Sequence, residues 1–149
     1  MKTPATPRWR ILVVDDDPLV CESIRWILSL DGHQITAALT GQSAINQCQT
    51  ATFDAVILDY KLPDMDGDLV AANIKSIGPH QPILIITAYP ETVASLANLL
   101  TSQYTLIPKP FSMDELRQAV SNTITKRQSL PPPAQDTPAR QNHKNKSSV

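Results

Sequence analysis

A chain of 149 residues leaves room for one domain with tails, and a body of about 125 residues buries roughly two-thirds of its unfolded surface, enough for a proper core. The formal net charge of −1 argues against a nucleic-acid scaffold. It hides an asymmetry, because from residue 126 onward Lys126, Arg127, Arg140, Lys144 and Lys146 face only Asp136, a net of +4 that leaves the first 125 residues at −5.

Residues 1–8, with Pro4 and Pro7, read as a disordered lead. The apolar run that follows Lys2, Arg8 and Arg10 is only Ile11 to Val14, too short for a signal peptide or a membrane span. Arg10 to Val14 is a buried strand that ends in Asp15, Asp16 and Asp17. Asp17 suits an N-cap and Pro18 a first helical position, so a helix from about Pro18 to Leu30 follows, with Val20, Ile24, Ile27 and Leu28 inward. His33 to Leu39 mostly alternates, as a strand near a sheet edge does. Thr40 or Gly41 opens a second helix with Ala44, Ile45 and Cys48 on one side, ending near Thr52.

The third strand, Val56 to Leu58, stops at Asp59, where Pro63, Asp64, Asp66 and Gly67 break the apolar run. A third helix is expected from about Gly67 to Ser76 with Leu69, Val70 and Ile74 inward. Ile83 to Ile86 is a β-branched run ending in Thr87. A fourth helix is expected at about Glu91 to Ser102, notable for having no charge from Thr92 to Gln103. Tyr104 to Ile107 is the last strand, closed by Pro108, Lys109 and Pro110. Ser112 and Glu115 form a capping-box pair for a fifth helix through Leu116, Val120 and Ile124. Cys21 and Cys48 fall within helical patterns without metal-ligand spacing and read as small apolar residues of a reducing compartment.

Five strands alternating with five helices imply right-handed crossovers and a mostly parallel sheet covered on both faces. The ends of such strands converge on a crevice. They would bring together Asp15 and Asp16, Asp59, Thr87 and Lys109. Alone, Asp59 is equally consistent with a loop-capping carboxylate. Three carboxylates in one place repel, and a hard divalent cation, Mg²⁺ above all, relieves that. A lysine can anchor a phosphate and a threonine hydroxyl can donate to one. Phosphoryl transfer to Asp59, giving an acyl phosphate, is the chemistry these residues support together.

The stretches VVDDDP at 13–18, LDYKLPDMDG at 58–67, ITAYP at 86–90 and PKPF at 108–111 resemble the response-regulator receiver domain of two-component signalling, over about residues 9–126. The resemblance implies a flavodoxin-like (βα)5 fold with strand order 2-1-3-4-5. It implies that Asp59 accepts phosphate from a histidine kinase or phosphotransfer protein. It also implies that Asp16, Asp59 and the backbone carbonyl of Lys61 ligate Mg²⁺ with help from Asp15 through water, and that Thr87 and Lys109 hold the phosphoryl oxygens. The family's switch aromatic, three positions before the lysine, is here Leu106, and the nearest aromatic is Tyr104. Coupling is therefore expected to be weaker or altered. Pro108 before Lys109 is a second departure, and Lys61 and Tyr89 flank the phosphate site.

The expected protein is a cytoplasmic, stand-alone, chemotaxis-regulator-like receiver that switches a protein-interaction face, with residues 127–149 a disordered, proline-rich basic tail. A downstream protein partner is expected, and the face of helix four, strand five and helix five suits a homodimer; membrane and nucleic acid are not expected partners. The stripe Leu19, Trp26, Leu30 reads either as a docking patch or as a mis-phased inner face. His33, His80 and His143 read as surface residues. Two other functions compete. One is a receiver-like adaptor that is never phosphorylated. The other is a haloacid-dehalogenase-like phosphatase in which Asp15 and Asp17 supply a DxD pair with Asp15 as nucleophile.

Overall fold

Alternation along the first strand divides the interior into two cores. In β1 (Arg10–Val14), Ile11 and Val13 point to one side of the sheet and Leu12 and Val14 to the other, and all four are fully buried. A computed structural model describes residues 7–89 and 104–129. In chain order β1 is followed by α1 (Pro18–Ser29), β2 (Gln34–Ala38), α2 (Gly41–Thr50), β3 (Ala55–Asp59), α3 (Gly67–Ile77), β4 (Ile83–Thr87), β5 (Thr105–Pro108) and α4 (Met113–Ser129). The strands form one parallel sheet in the order β2-β1-β3-β4-β5. This is the flavodoxin-like order expected, and β2 lies at an edge, as its alternation implied.

The core on one face joins Leu12, Val14, Val56 and Leu58 to Ala44 and Ile45 of α2 and Val70, Ala71 and Ile74 of α3. The other joins Ile11, Val13 and Ile57 to Ile24, Ile27 and Leu28 of α1 and Leu116, Val120 and Ile124 of α4. All residues of β3 and β4 are buried, as central strands covered on both faces must be. At about 25 cal/mol per Å², each large aliphatic side chain so buried contributes about 2 kcal/mol.

Local signals start the helices where they were expected. Asp17 Oδ1 accepts from the Leu19 amide at 2.9 Å ahead of Pro18, and Thr40 Oγ1 accepts from the Ser43 amide at 3.0 Å. Ser112 and Glu115 satisfy one another's amides at 3.0 and 2.7 Å, the reciprocal capping box. Arg117 grips Asp31 through two bonds of 2.9 and 2.7 Å, tying α4 to the end of α1.

Some expectations need correction. Leu69 is 52% exposed, because α3 turns Val70, Ala71 and Ile74 inward and leaves Leu69 on its flank. His33 is buried, not a surface residue: its ring stacks on Trp9 with centroids 4.8 Å apart, and its Nδ1 accepts the Trp9 amide at 3.1 Å. Strand β2 starts one residue later and ends one residue earlier than read, and β5 runs from Thr105 through Pro108. The stripe Leu19, Trp26, Leu30 does face outward. The helix expected at 91–102 lies outside the described residues, as do His143 and nearly all of both tails.

Candidate functional site

Val14 pairs with Leu58 across the β1–β3 ladder, so the next residues, Asp15 and Asp59, emerge side by side at the carboxyl ends of the two central strands. Both continue the register of Val13 and Ile57, the side that packs against α1 and α4. Oxygens of Asp15, Asp16 and Asp59 all lie within 4.8 Å of one another, with Asp15 and Asp59 buried and Asp16 exposed. Asp15 is held further by its own backbone: its amide donates to Ala38 O at 3.1 Å, its Oδ1 accepts from the Asp17 amide at 2.9 Å, and its carbonyl accepts from Cys21 Sγ at 3.3 Å.

Lys109 completes the cluster from the end of β5. Its Nζ is 3.2 Å from Asp15 Oδ2 and 3.4 Å from Asp59 Oδ1. The lysine reaches this point because β5 closes on β4: the Lys109 amide donates to Thr87 O at 2.7 Å. That bond places the missing donor of Pro108 on the outer edge of the sheet, where a proline removes no ladder bond. Thr87 is buried at the end of β4, and its Oγ1 accepts from the Tyr89 amide at 2.9 Å.

Leu106 and Tyr104 are half-buried and pack against the same core. The Tyr104 ring lies under Lys75 Nζ, 5.8 Å from its centroid, and thus faces α3. Lys61 leaves the cluster with its side chain: its Nζ is 3.6 Å from Asp66 Oδ1, and the two residues form an isolated antiparallel bridge. Asp17 does not join the cluster. Its carboxylate accepts from the Leu19 amide and so serves the α1 N-terminus.

The charges explain one another. Burial, and then Asp15, push the Asp59 carboxyl up from 3.8 to about 6, although Lys109 pulls it down. Burial works against the Lys109 ammonium, but Asp59 and Asp15 together hold it above its usual 10.5. One ammonium faces two buried carboxylates with a third beside them, so the cluster keeps excess negative charge. An all-oxygen donor set with uncompensated charge fits a hard divalent cation such as Mg²⁺.

Asp64, which the sequence shows only as part of the group that ends the third strand, ties the loop after β3 to α2. Asp64 accepts from the amides of Gly41 and Gln42 at 2.8 and 2.9 Å, and those bonds hold its carboxyl below the usual range. Its partners are 23 and 22 residues upstream, so nothing local could reveal them.

Comparison with known proteins places this geometry. The model of the response regulator receiver domain matches residues 11–121, and the chain belongs to that family, the receiver domains of two-component signalling. It is 36% identical over 130 residues to the response regulator MprA of Mycobacterium sp. strain KMS, covering 87% of this chain and 56% of that protein. It is 39% identical over 107 residues to MprA of Mycolicibacterium vanbaalenii, covering 72% of this chain and 46% of the relative. The chain thus spans about half the length of the curated relatives it matches.

Among solved structures, a receiver domain from Methanospirillum hungatei superposes with a TM-score of 0.76 at 24% identity, covering 82% of this chain and 98% of that one, a likeness of fold. The response regulator TrrA of Thermotoga maritima, solved in complex with Mg²⁺ and beryllofluoride, gives 0.68 at 32% identity, with 76% and 97% covered. Receiver domains are phosphoacceptor signalling domains, not enzymes that turn over a substrate, and they interact with histidine kinases or phosphotransfer proteins. Among the described residues no helix is long and apolar enough to cross a membrane.

Proposed function

We propose that this chain accepts a phosphoryl group on Asp59 from the phosphohistidine of a histidine kinase or phosphotransfer protein, and that the charge so added switches a protein-interaction face. The observation that carries this reading is the Lys109 ammonium set 3.2 and 3.4 Å from two buried carboxylates at adjacent strand ends, with Asp16 beside them. The TrrA complex with Mg²⁺ and beryllofluoride supports it by likeness.

In the proposed transfer an Asp59 carboxylate oxygen attacks the donor phosphorus, the phosphorus–nitrogen bond breaks, and the departing imidazole carries the electron pair and takes a proton from water. Asp59 is ionised for this above its pKa of about 6. Lys109 neutralises the growing charge on the phosphoryl oxygens, and the Thr87 hydroxyl, which accepts from Tyr89 but keeps its own proton, donates to one of them. Asp16, Asp59 and the Lys61 carbonyl, with Asp15 through water, would hold Mg²⁺, which supplies further charge neutralisation when bound. Asp15 also keeps Lys109 in place before transfer.

Phosphorylation adds about two negative charges beside Lys109 and Thr87. The response passes to β5 and α4 and to the uncharged stretch Thr92–Gln103, which precedes β5 in the chain; this face is the one proposed for a downstream protein partner and suits a homodimer. With leucine at 106 and Tyr104 turned to Lys75, no ring on β5 follows the Thr87 hydroxyl, so the coupling is altered. Borohydride trapping tests the acceptor: an aspartyl phosphate is reduced to homoserine, and peptide mass mapping finds the converted residue. Conversion at Asp59 supports the proposal. Conversion at Asp15 would revive the phosphatase, and none at all would leave a partner-binding adaptor.

A further inference from the structure

The loop from Tyr60 to Asp66 carries Lys61, whose carbonyl is assigned above to Mg²⁺, and such a carbonyl serves only if its loop is held. Two ties are internal to the loop: the Gly67 amide donates to Tyr60 O at 2.6 Å, and Lys61 bridges Asp66. The third leaves it. Asp64 Oδ1 accepts from Gly41 N at 2.8 Å and Oδ2 from Gln42 N at 2.9 Å. These are the first two amides of α2, which have no partner within their own helix.

Helix α2 already has its own cap, the Thr40 hydroxyl at 3.0 Å from the Ser43 amide. The bonds from Asp64 therefore do more than cap: they join α2 to the loop across more than 20 residues of chain. The surfaces also touch below the carboxylate. A Cβ added to Gly41 would lie 2.6 Å from Met65 Cγ and 2.7 Å from Val70 Cγ2, so only a glycine lets the helix end approach this closely.

We propose that Asp64 is a positioning residue for cation binding: by clasping the Gly41 and Gln42 amides it holds the Lys61 carbonyl against the acidic cluster of Asp15, Asp16 and Asp59. This rests on the reading of that cluster as a Mg²⁺ site. Asp64 touches neither the cation nor the phosphoryl group and acts through the loop.

The test is calorimetric titration of the full chain with Mg²⁺, paired with amide hydrogen exchange in chelator, on wild type, Asp64→Ala, Asp64→Asn and Thr40→Ala. Asp64→Ala weakens Mg²⁺ affinity about tenfold, the scale of a lost outer support, and speeds exchange at Gly41, Gln42 and Gly67. Thr40→Ala removes a cap from the same helix and lowers its stability, but leaves Mg²⁺ affinity within about twofold of wild type. Asp64→Asn keeps one acceptor oxygen and falls between, and it carries the comparison if the alanine variant does not fold. Wild-type affinity in Asp64→Ala, or an equal loss in Thr40→Ala, would overturn the inference while the cluster reading stood. A wild type that takes up no Mg²⁺ would overturn the cluster reading and this inference with it.

Discussion

Lys109 and Asp15, 94 residues apart in sequence, meet at 3.2 Å with the carboxylate only 1% exposed. Removing the ammonium leaves a buried carboxylate without its partner and Asp59 without its closest positive charge. Lys109→Ala should cost about 3 kcal/mol in chelator, and added Mg²⁺ should restore part of that by taking over the neutralisation. Urea unfolding of both proteins with and without Mg²⁺ measures it. An equal deficit in the two conditions would contradict the charge argument.

Asp59 makes metal-free stability depend on pH. Its carboxyl rises from 3.8 to about 6 on folding, so the folded state holds the proton more tightly than the unfolded chain. The stabilisation is complete below the unfolded value and is lost as pH rises through about 6, a change of about 3 kcal/mol. Asp59→Asn, uncharged at every pH, should unfold later than wild type at neutral pH in chelator and lose most of this slope. Denaturation midpoints across about pH 3.5 to 7, which spans both values, decide it.

His33 has the opposite sign. Burial pushes its pKa below the ordinary 6.5, and its Nδ1 is occupied in accepting the Trp9 amide. The neutral ring is favoured in the fold, so stability is full above 6.5 and falls as pH drops through that value toward the lower folded one. Because Asp59 works in the same range, the effect is best read in an Asp59→Asn background. There Trp9 fluorescence and unfolding midpoint should both decline on acidification, and His33→Gln should flatten the decline.

Two glycines mark how closely the loop after β3 is packed. A Cβ at Gly67 would stand 2.8 Å from Tyr60 Cα, a backbone atom that cannot turn aside, whereas the nearest neighbours at Gly41 are side-chain atoms of Met65 and Val70. Both alanine variants should destabilise, by about 1–3 kcal/mol, with Gly67→Ala at the upper end. Thermal unfolding of the pair gives the order, and a milder effect at Gly67 would show that the loop yields.

The residues themselves show what was legible. Strands β1, β3 and β4 could be read because short apolar runs stop at Asp15, Asp59 and Thr87, and that punctuation is local. The capping box of Ser112 and Glu115 is equally local, three residues wide. Convergence of the strand ends followed from topology alone. His33 was misread because its burial depends on Trp9, 24 residues away, and the bonds of Asp64 were passed over because its partners belong to another helix. Leu69 was placed inward because an apolar residue beside Val70 fits a helical stripe either way until the packed neighbours choose the face.

Intact mass spectrometry after incubation with a small phosphoramidate or acyl-phosphate donor, on wild type and Asp59→Asn, asks whether Asp59 is the phosphoacceptor. Wild type is expected to gain one phosphate, dependent on Mg²⁺, and Asp59→Asn to gain none. A wild-type protein that stays unlabelled with Mg²⁺ and donor in excess, or an Asp59→Asn variant labelled as fully as wild type, would contradict that role.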